Sequence, residues 1–356
     1  MKALNYNNSE IRFGDLASCG FNAVLNSDRF KRSKKVIITD ENVYERWISD
    51  MVVTYDGLKD AEIIQLPAGE QYKTVGICVE VWNALSEYEI ERNDLIINIG
   101  GGVITDMGGF IAATFKRGLA FVNVPTTLLA QVDASVGGKT GIDLGSYKNQ
   151  IGAFADADFV FVDTNFLMAL PKDELISGYA EMLKHGLISL KSYWSDLVKT
   201  DPTQAPDKLL QKIRTSVSIK REIVAKDHLE TGLRKKLNFG HTIGHSIEGY
   251  GISKGEHIPH GFCVAWGMIA EAYISKQLKL LSASEFDEIN SVLRKIYPPL
   301  KISIDALDEL NMLLKNDKKT VHGELNFTLL QKIGEAVYNI KVSPALVDEA
   351  FAFILS

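Results

Sequence analysis

Apolar residues in the first half of the chain gather in short runs. KKVIITD, AEIIQLP, DLIINIG, LAFVNVP and FVFVDT are such runs, most of them closed by Asp, Pro or Gly. Runs of this length suit strands buried on both faces, as parallel strands are. Between the second and third, TVGICVEVWNALSEYEI places its apolar residues at helical spacing. Strands alternating with helices predict an α/β, Rossmann-like domain over 1–170. From Pro171 the period lengthens. KDELISGYAEMLKHGLI, PDKLLQKIRTSVSIKREIVAKD, HGFCVAWGMIAEAYISKQL and PALVDEAFAFIL all read as helices. They predict a mostly α-helical second domain over 171–356.

Composition narrows the class without naming a chemistry. With 356 residues the chain is long for a single core, which favours two domains. Its 46% hydrophobic and 24% charged content is that of an ordinary globular enzyme. A net charge of −6 speaks against nucleic acid as the main partner. No apolar run is long enough to predict a membrane span, and the polar N-terminus lacks a signal-peptide core, so a cytoplasmic setting is expected. Cys19, Cys78 and Cys263 form neither a disulfide framework nor a CxxC knuckle.

Candidate chemistry is concentrated in a few segments. Four of seven histidines fall in LNFGHTIGHSIEGYGISKGEHIPHG: His241, His245, His257 and His260. On a helix, His241 and His245 at i, i+4 share one face, an arrangement suited to a metal. Two surface histidines on a helix account for the same spacing. No Glu lies between them, which removes the metalloprotease motif, and a third donor must come from elsewhere. Glu181, in YAEMLKHG, is the best candidate for that donor, although Glu181 and Lys184 at i, i+3 also make an ordinary helix ion pair. GGGVITD follows a strand and can approach a phosphate, but it is not G-x-G-x-x-G. Asp40, Asn42, Glu70 and Lys73 lie at other strand ends and strengthen a nucleotide-site reading. VDASVGGKTGIDLGSYKNQIGAF has the style of a phosphate loop without the Walker spacing. Recurrent cations, Lys139, Lys148, Lys184, Lys220, Arg234, Lys318 and Lys319, suggest an anionic substrate.

In this order the segments GEQYK, GGGVITD, RGLAFVNVPTTLLAQVDASVGGKTGID, KNQIGAF, GYAEMLKHG, LNFGHTIGHSIE and the DKK run resemble the 3-dehydroquinate synthases, members of the sugar phosphate cyclases. The resemblance spans about Thr39 to Gly334. It implies an NAD- and divalent-metal-dependent carbon–oxygen lyase, with zinc or cobalt as the metal. Such an enzyme turns 3-deoxy-D-arabino-heptulosonate 7-phosphate into 3-dehydroquinate and phosphate within the shikimate route to aromatic amino acids. A homodimer is implied as well. Carried over by motif, the metal ligands are Glu181, His241 and His260. Lys139, Lys184, Lys220, Arg234, Asn238 and His245 take catalytic roles. Arg117, Asp133, Asn149, Lys318 and Lys319 contact substrate, Arg117 from the neighbouring subunit. NAD falls to Asp40, Asn42, Glu70, Lys73, Gly102, Val103, Ile104, Thr105, Asp106, Thr126, Thr127, Lys139, Lys148 and Phe166. The chain departs from the common pattern at Phe262, Ala169 and Thr105. Related cyclases making 2-deoxy-scyllo-inosose or an epi-valiolone, and metal-dependent polyol dehydrogenases, are the alternative readings.

Overall fold

A computed structural model of the chain describes residues 3–6, 9–145, 147–316, 320–321 and 324–356. The chain divides into two units, Met1–Leu170 with Ala205–Arg221, and Pro171–Gln204 with Glu222–Ser356. The segment Ala205–Arg221 thus groups with the first unit although it lies beyond the Pro171 boundary expected from the sequence pattern.

The first unit is built on seven strands: β1 (Leu4–Tyr6), β2 (Ser9–Phe13), β3 (Lys35–Asp40), β4 (Glu62–Leu66), β5 (Leu95–Gly100), β6 (Ala120–Pro125) and β9 (Phe159–Val162). Their order is β1-β2-β9-β6-β5-β3-β4, parallel except for the β1–β2 pair. Every residue of β5 is buried, as suits a parallel strand covered on both faces, and its one polar side chain, Asn98, donates to Asn123 Oδ1 at 2.9 Å. Ile97 and Ile99 face one core with Phe21, Ile37, Val122 and Phe161. The helix Gly102–Thr114 packs against β3, β5 and β6. Strand order reverses between β3 and β5, and α/β folds bind ligands beyond the carboxyl ends of the strands at such a point. Asp40 ends β3 and Gly100 ends β5.

Two strands form a separate antiparallel hairpin, β7 (Lys139–Leu144) and β8 (Tyr147–Phe154). The glycine-rich segment singled out in the sequence is therefore sheet over most of its length.

The second unit is not wholly helical. It carries an antiparallel sheet of β10 (Thr320–Val321), β11 (Glu324–Lys332) and β12 (Glu335–Lys341). Around it lie the helices Lys172–Ser189, His241–Ser253, His260–Gln277, Ala283–Ile296, Leu307–Asn316 and Pro344–Leu355. The helix His260–Gln277 is central, packing against His241–Ser253, Lys172–Ser189, Pro344–Leu355 and β11. It is buried almost all round, as a helix without a polar face must be. Its approach to His241–Ser253 is very close. A Cβ on Gly267 would lie 1.9 Å from the Gly240 carbonyl oxygen, so only glycine fits there.

Candidate functional site

The first unit assembles a polar network at the strand ends. Lys73, 2% exposed, donates to Asp106 Oδ2 at 2.7 Å and to Asn149 Oδ1 at 2.8 Å. Burial disfavours its charge, but Asp106, Glu70 and Asp143 outweigh that and hold its pKa above the ordinary lysine value. Burial in turn lifts the Asp106 carboxyl above the usual range, with Lys73 pulling the other way. Glu70 reaches Lys148 at 3.2 Å. Asn149 has a left-handed backbone, φ 51°, fixed by its N–H donating to Asp143 Oδ1 at 2.7 Å. The network thus ties the GEQYK turn, the GGGVITD helix and the β7–β8 hairpin together. It brings Asn149, expected at the substrate, to Lys73 and Asp106, expected at NAD.

The other expected NAD residues occupy several settings. Gly102, Val103, Ile104, Thr105 and Asp106 form the first turn of their helix, with Gly101 as its N-cap. Thr105 Oγ1 donates to the Gly102 carbonyl at 3.1 Å, so this departure closes on its own turn. Thr126 and Thr127 follow β6, and Thr127 Oγ1 accepts the Ala130 N–H at 3.1 Å. Asp40 caps the turn Glu41–Val43 through the Val43 N–H, beside an exposed Asn42. Phe166 lies in the apolar core, edge-on to Trp47, and Ala169 offers its carbonyl to Arg46.

Lys220 Nζ pairs with the carboxylate and carbonyl of Asp133. Lys139 opens β7 as an exposed residue. Arg117 is exposed on a turn where Lys116, Arg117 and Gly118 all have positive φ, 47°, 67° and 118°.

In the second unit Glu181, His241 and His260 converge. Their donor atoms all lie within 4.8 Å of one another. Glu181 Oε1 is 3.5 Å from His241 Nε2 and 3.9 Å from His260 Nε2. It is buried and accepts no hydrogen bond among the described residues, while Oε2 pairs with buried Lys184. The ion pair and the convergence on two histidines thus coexist. The separations match donors each about 2.0–2.2 Å from a shared tetrahedral zinc. Each histidine also has its other nitrogen engaged. His241 Nδ1 meets the Phe239 carbonyl at 3.2 Å, and His260 Nδ1 meets Glu248 Oε2 at 3.3 Å. Metal-binding histidines are oriented by such partners, and these residues fit a divalent ion.

The His245 ring lies 5.3 Å from that of His241 and 6.2 Å from that of His260. His257 is exposed and outside the cluster. Cys263 is buried in the helix His260–Gln277, its Sγ 3.9 Å from the Ile258 carbonyl. Phe262 packs edge-on to Tyr297. Arg234, 2% exposed, donates to the His228 carbonyl at 2.6 Å, and Asn238 donates to Glu230 at 2.6 Å. Asp227 accepts the N–H groups of Thr231, Gly232 and Arg234. Burial works against its ionisation, but those donors overcome it and bring its pKa from 3.8 to about 2. Lys318 and Lys319 lie outside the described residues.

Glu248, Glu230, Asp227 and Glu271 escaped the reading of the sequence. DHLETG carries a turn signal that marks Asp227. Glu248 stands three residues after His245, one helical turn on, and the period of the segment marks it too.

Residues 63–177 match the family model described as 3-dehydroquinate synthase N-terminal, and residues 178–320 match 3-dehydroquinate synthase C-terminal. The 3-dehydroquinate synthase of Parabacteroides distasonis is 40% identical over 324 residues, covering 91% of this chain and 92% of that protein. A solved 2-deoxy-scyllo-inosose synthase, complexed with carbaglucose-6-phosphate, NAD+ and Co2+, is 26% identical with a TM-score of 0.82, covering 98% of both chains. A 2-epi-5-epi-valiolone synthase from Streptomyces hygroscopicus, with NAD+ and Zn2+ bound, has a TM-score of 0.86, covering 99% of this chain and 98% of that one. At 24% identity that second likeness carries the fold alone.

Proposed function

The chain belongs to the 3-dehydroquinate synthase family, and from that premise we propose that it converts 3-deoxy-D-arabino-heptulosonate 7-phosphate into 3-dehydroquinate and phosphate. The product feeds the shikimate route to aromatic amino acids. The observation that carries the reading is the convergence of Glu181, His241 and His260 in a chain 40% identical to a 3-dehydroquinate synthase. It also sets this enzyme apart from a nucleotide-binding regulator, which needs no such donor set.

Glu181, His241 and His260 would hold the divalent metal, zinc or cobalt, and the residues at the ends of β3 and β5 and in the first turn of Gly102–Thr114 would hold NAD. When bound, NAD supplies a reversible hydride acceptor and the metal a Lewis acid for the substrate hydroxyls. The amides of that first turn would offer donors to the cofactor's phosphates. Lys73 and Asp106 fix the polar wall beside them, and Asn149 extends it toward the substrate. Lys184 and Lys220 each rest on a carboxylate, which orients them for an anionic substrate. Arg234 takes the substrate carboxylate, the group that the inosose- and valiolone-forming relatives do without. His245, beside the two ligand histidines, holds or relays a proton. Lys139, Asp133, Asn238 and the DKK lysines complete the substrate contacts. The enzyme works as a cytoplasmic homodimer in which Arg117 serves the partner's phosphate site. Among the described residues no helix is long and apolar enough to cross a membrane.

The direct test incubates the protein with the heptulosonate phosphate, catalytic NAD and zinc, then measures phosphate and identifies the carbocycle. Release of phosphate with 3-dehydroquinate is the expected result. Absence of both with metal and NAD bound overturns the reading.

A further inference from the structure

The helix that carries His241 starts at a residue with no side chain to cap it. Gly240 precedes His241 with φ 81°, and no side-chain cap is made from that position. The first amides of a helix have no partner inside it, and burying them unpaired is costly. Here the cap comes from another helix. Glu271, fully buried within His260–Gln277, accepts the N–H of Gly240 at 2.6 Å, of Thr242 at 3.1 Å and of Ile243 at 3.3 Å.

We infer that Glu271 is a positioning residue for the metal centre, acting through the backbone of His241. Three observations lead there. First, the amides it holds bracket His241 on both sides, so the carboxylate fixes that Cα. The His241 ring is then aimed by its Nδ1 contact with the Phe239 carbonyl, leaving Nε2 toward Glu181. Second, the same helix supplies His260 in its first turn and Glu271 further along. One rigid element therefore presents one ligand and sets where the helix bearing the other begins. The contact of Gly267 with the Gly240 carbonyl locks the same joint. Third, a helix N-terminus carries about half a positive charge, unfavourable beside a ligand of a dication. An anionic cap cancels it. Capping alone does not call for a buried charge, because a neutral acceptor satisfies amides without the desolvation cost of a carboxylate.

The inference rests on Glu181, His241 and His260 being the ligands. It is tested by zinc affinity, measured by chelator competition on Glu271→Gln, Glu271→Asp and His241→Ala, starting from the zinc-loaded enzyme. Hydrogen exchange at the amides of 240–243 and the absorption spectrum of the cobalt-substituted protein are followed in parallel. Glu271→Gln keeps the volume and removes the charge, and zinc affinity is expected to fall roughly tenfold or more. Exchange at those amides should quicken and the cobalt bands should change. Glu271→Asp retains the charge at shorter reach and should recover part of the affinity, and it carries the test should the Gln variant not fold. Zinc affinity unchanged in Glu271→Gln but lost in His241→Ala overturns the inference and leaves the ligand assignment intact. A fall in thermal stability alone, with unaltered zinc affinity, marks a merely structural cap and also overturns it. Zinc retained by His241→Ala overturns the ligand assignment itself.

Discussion

At the scale of single residues, the acceptors that meet the far nitrogens of the histidine rings decide how the proposed ligands point. Glu248 holds His260 Nδ1, leaving Nε2 toward Glu181. Replacing Glu248 with Ala frees the ring to turn and exchange tautomers. Zinc affinity is expected to fall about 10- to 100-fold, a loss that metal titration would reveal. His241→Ala and His260→Ala should strip metal and activity, whereas His257→Ala should change neither, because His257 stands exposed outside the cluster. Asp227 acts at longer range. Its carboxylate gathers the amides of Thr231, Gly232 and Arg234, and so fixes the turn from which Arg234 projects. Its folded pKa, about 2, is below the ordinary 3.8. A carboxyl depressed on folding stabilises the native state above its unfolded pKa, and that contribution fades as pH falls through the folded value. Unfolding titrations should therefore show a loss of stability between about pH 4 and pH 2 that is reduced in Asp227→Asn. An identical acid limb in the variant would assign the effect to other carboxylates.

At the scale of elements, the sequence pattern foretold some pieces better than others, for physical reasons. β3, β5, β6 and β9 were legible because a parallel strand buried on both faces is mostly apolar along its length. The helices of the second unit were legible from their period. The β7–β8 hairpin was not, since its glycines suit close strand approach and a loop equally well. The β10–β12 sheet was hidden because ELNFTLLQK and EAVYNIK are half polar and set between helices. Of the candidate metal donors, Glu181 and His241 were marked by residue type and spacing and His260 by the family resemblance, but the capping of one helix by Glu271 joins residues 31 apart and leaves no local signal. The same joint makes a sharp prediction. Gly267→Ala puts a methyl 1.9 Å from the Gly240 carbonyl, so the helices that carry His241 and His260 must separate. Overpacking of this kind costs about 1–3 kcal/mol or more, readable in thermal or urea unfolding, and zinc affinity should fall with it. Full stability in the variant would mean that the helix pair yields more readily than its backbone contact allows.

At the scale of the whole molecule, the proposed reaction returns its hydride within one turnover. Phosphate should accumulate with substrate while no net NADH appears, which separates this chemistry from that of a polyol dehydrogenase. The proposed dimer is open to a sharper test through Arg117. Its backbone is held left-handed between Lys116 and Gly118, and that conformation costs about 1–3 kcal/mol in a non-glycine residue unless its surroundings enforce it. The turn displays an exposed guanidinium, the group best shaped to grip a phosphate. If that phosphate belongs to the partner's site, Arg117→Ala and His241→Ala should each be inactive alone. A dimer with one subunit of each kind behaves differently. The site with intact His241 receives an intact Arg117 from its partner, while the other site bears both defects. Co-expression with random pairing makes half the dimers hybrid, so about a quarter of the sites should work. Activity at that level in the mixture, beside none in either variant, is the expected outcome. A mixture as inactive as its components would place Arg117 in its own subunit's chemistry and remove the main argument for a shared site.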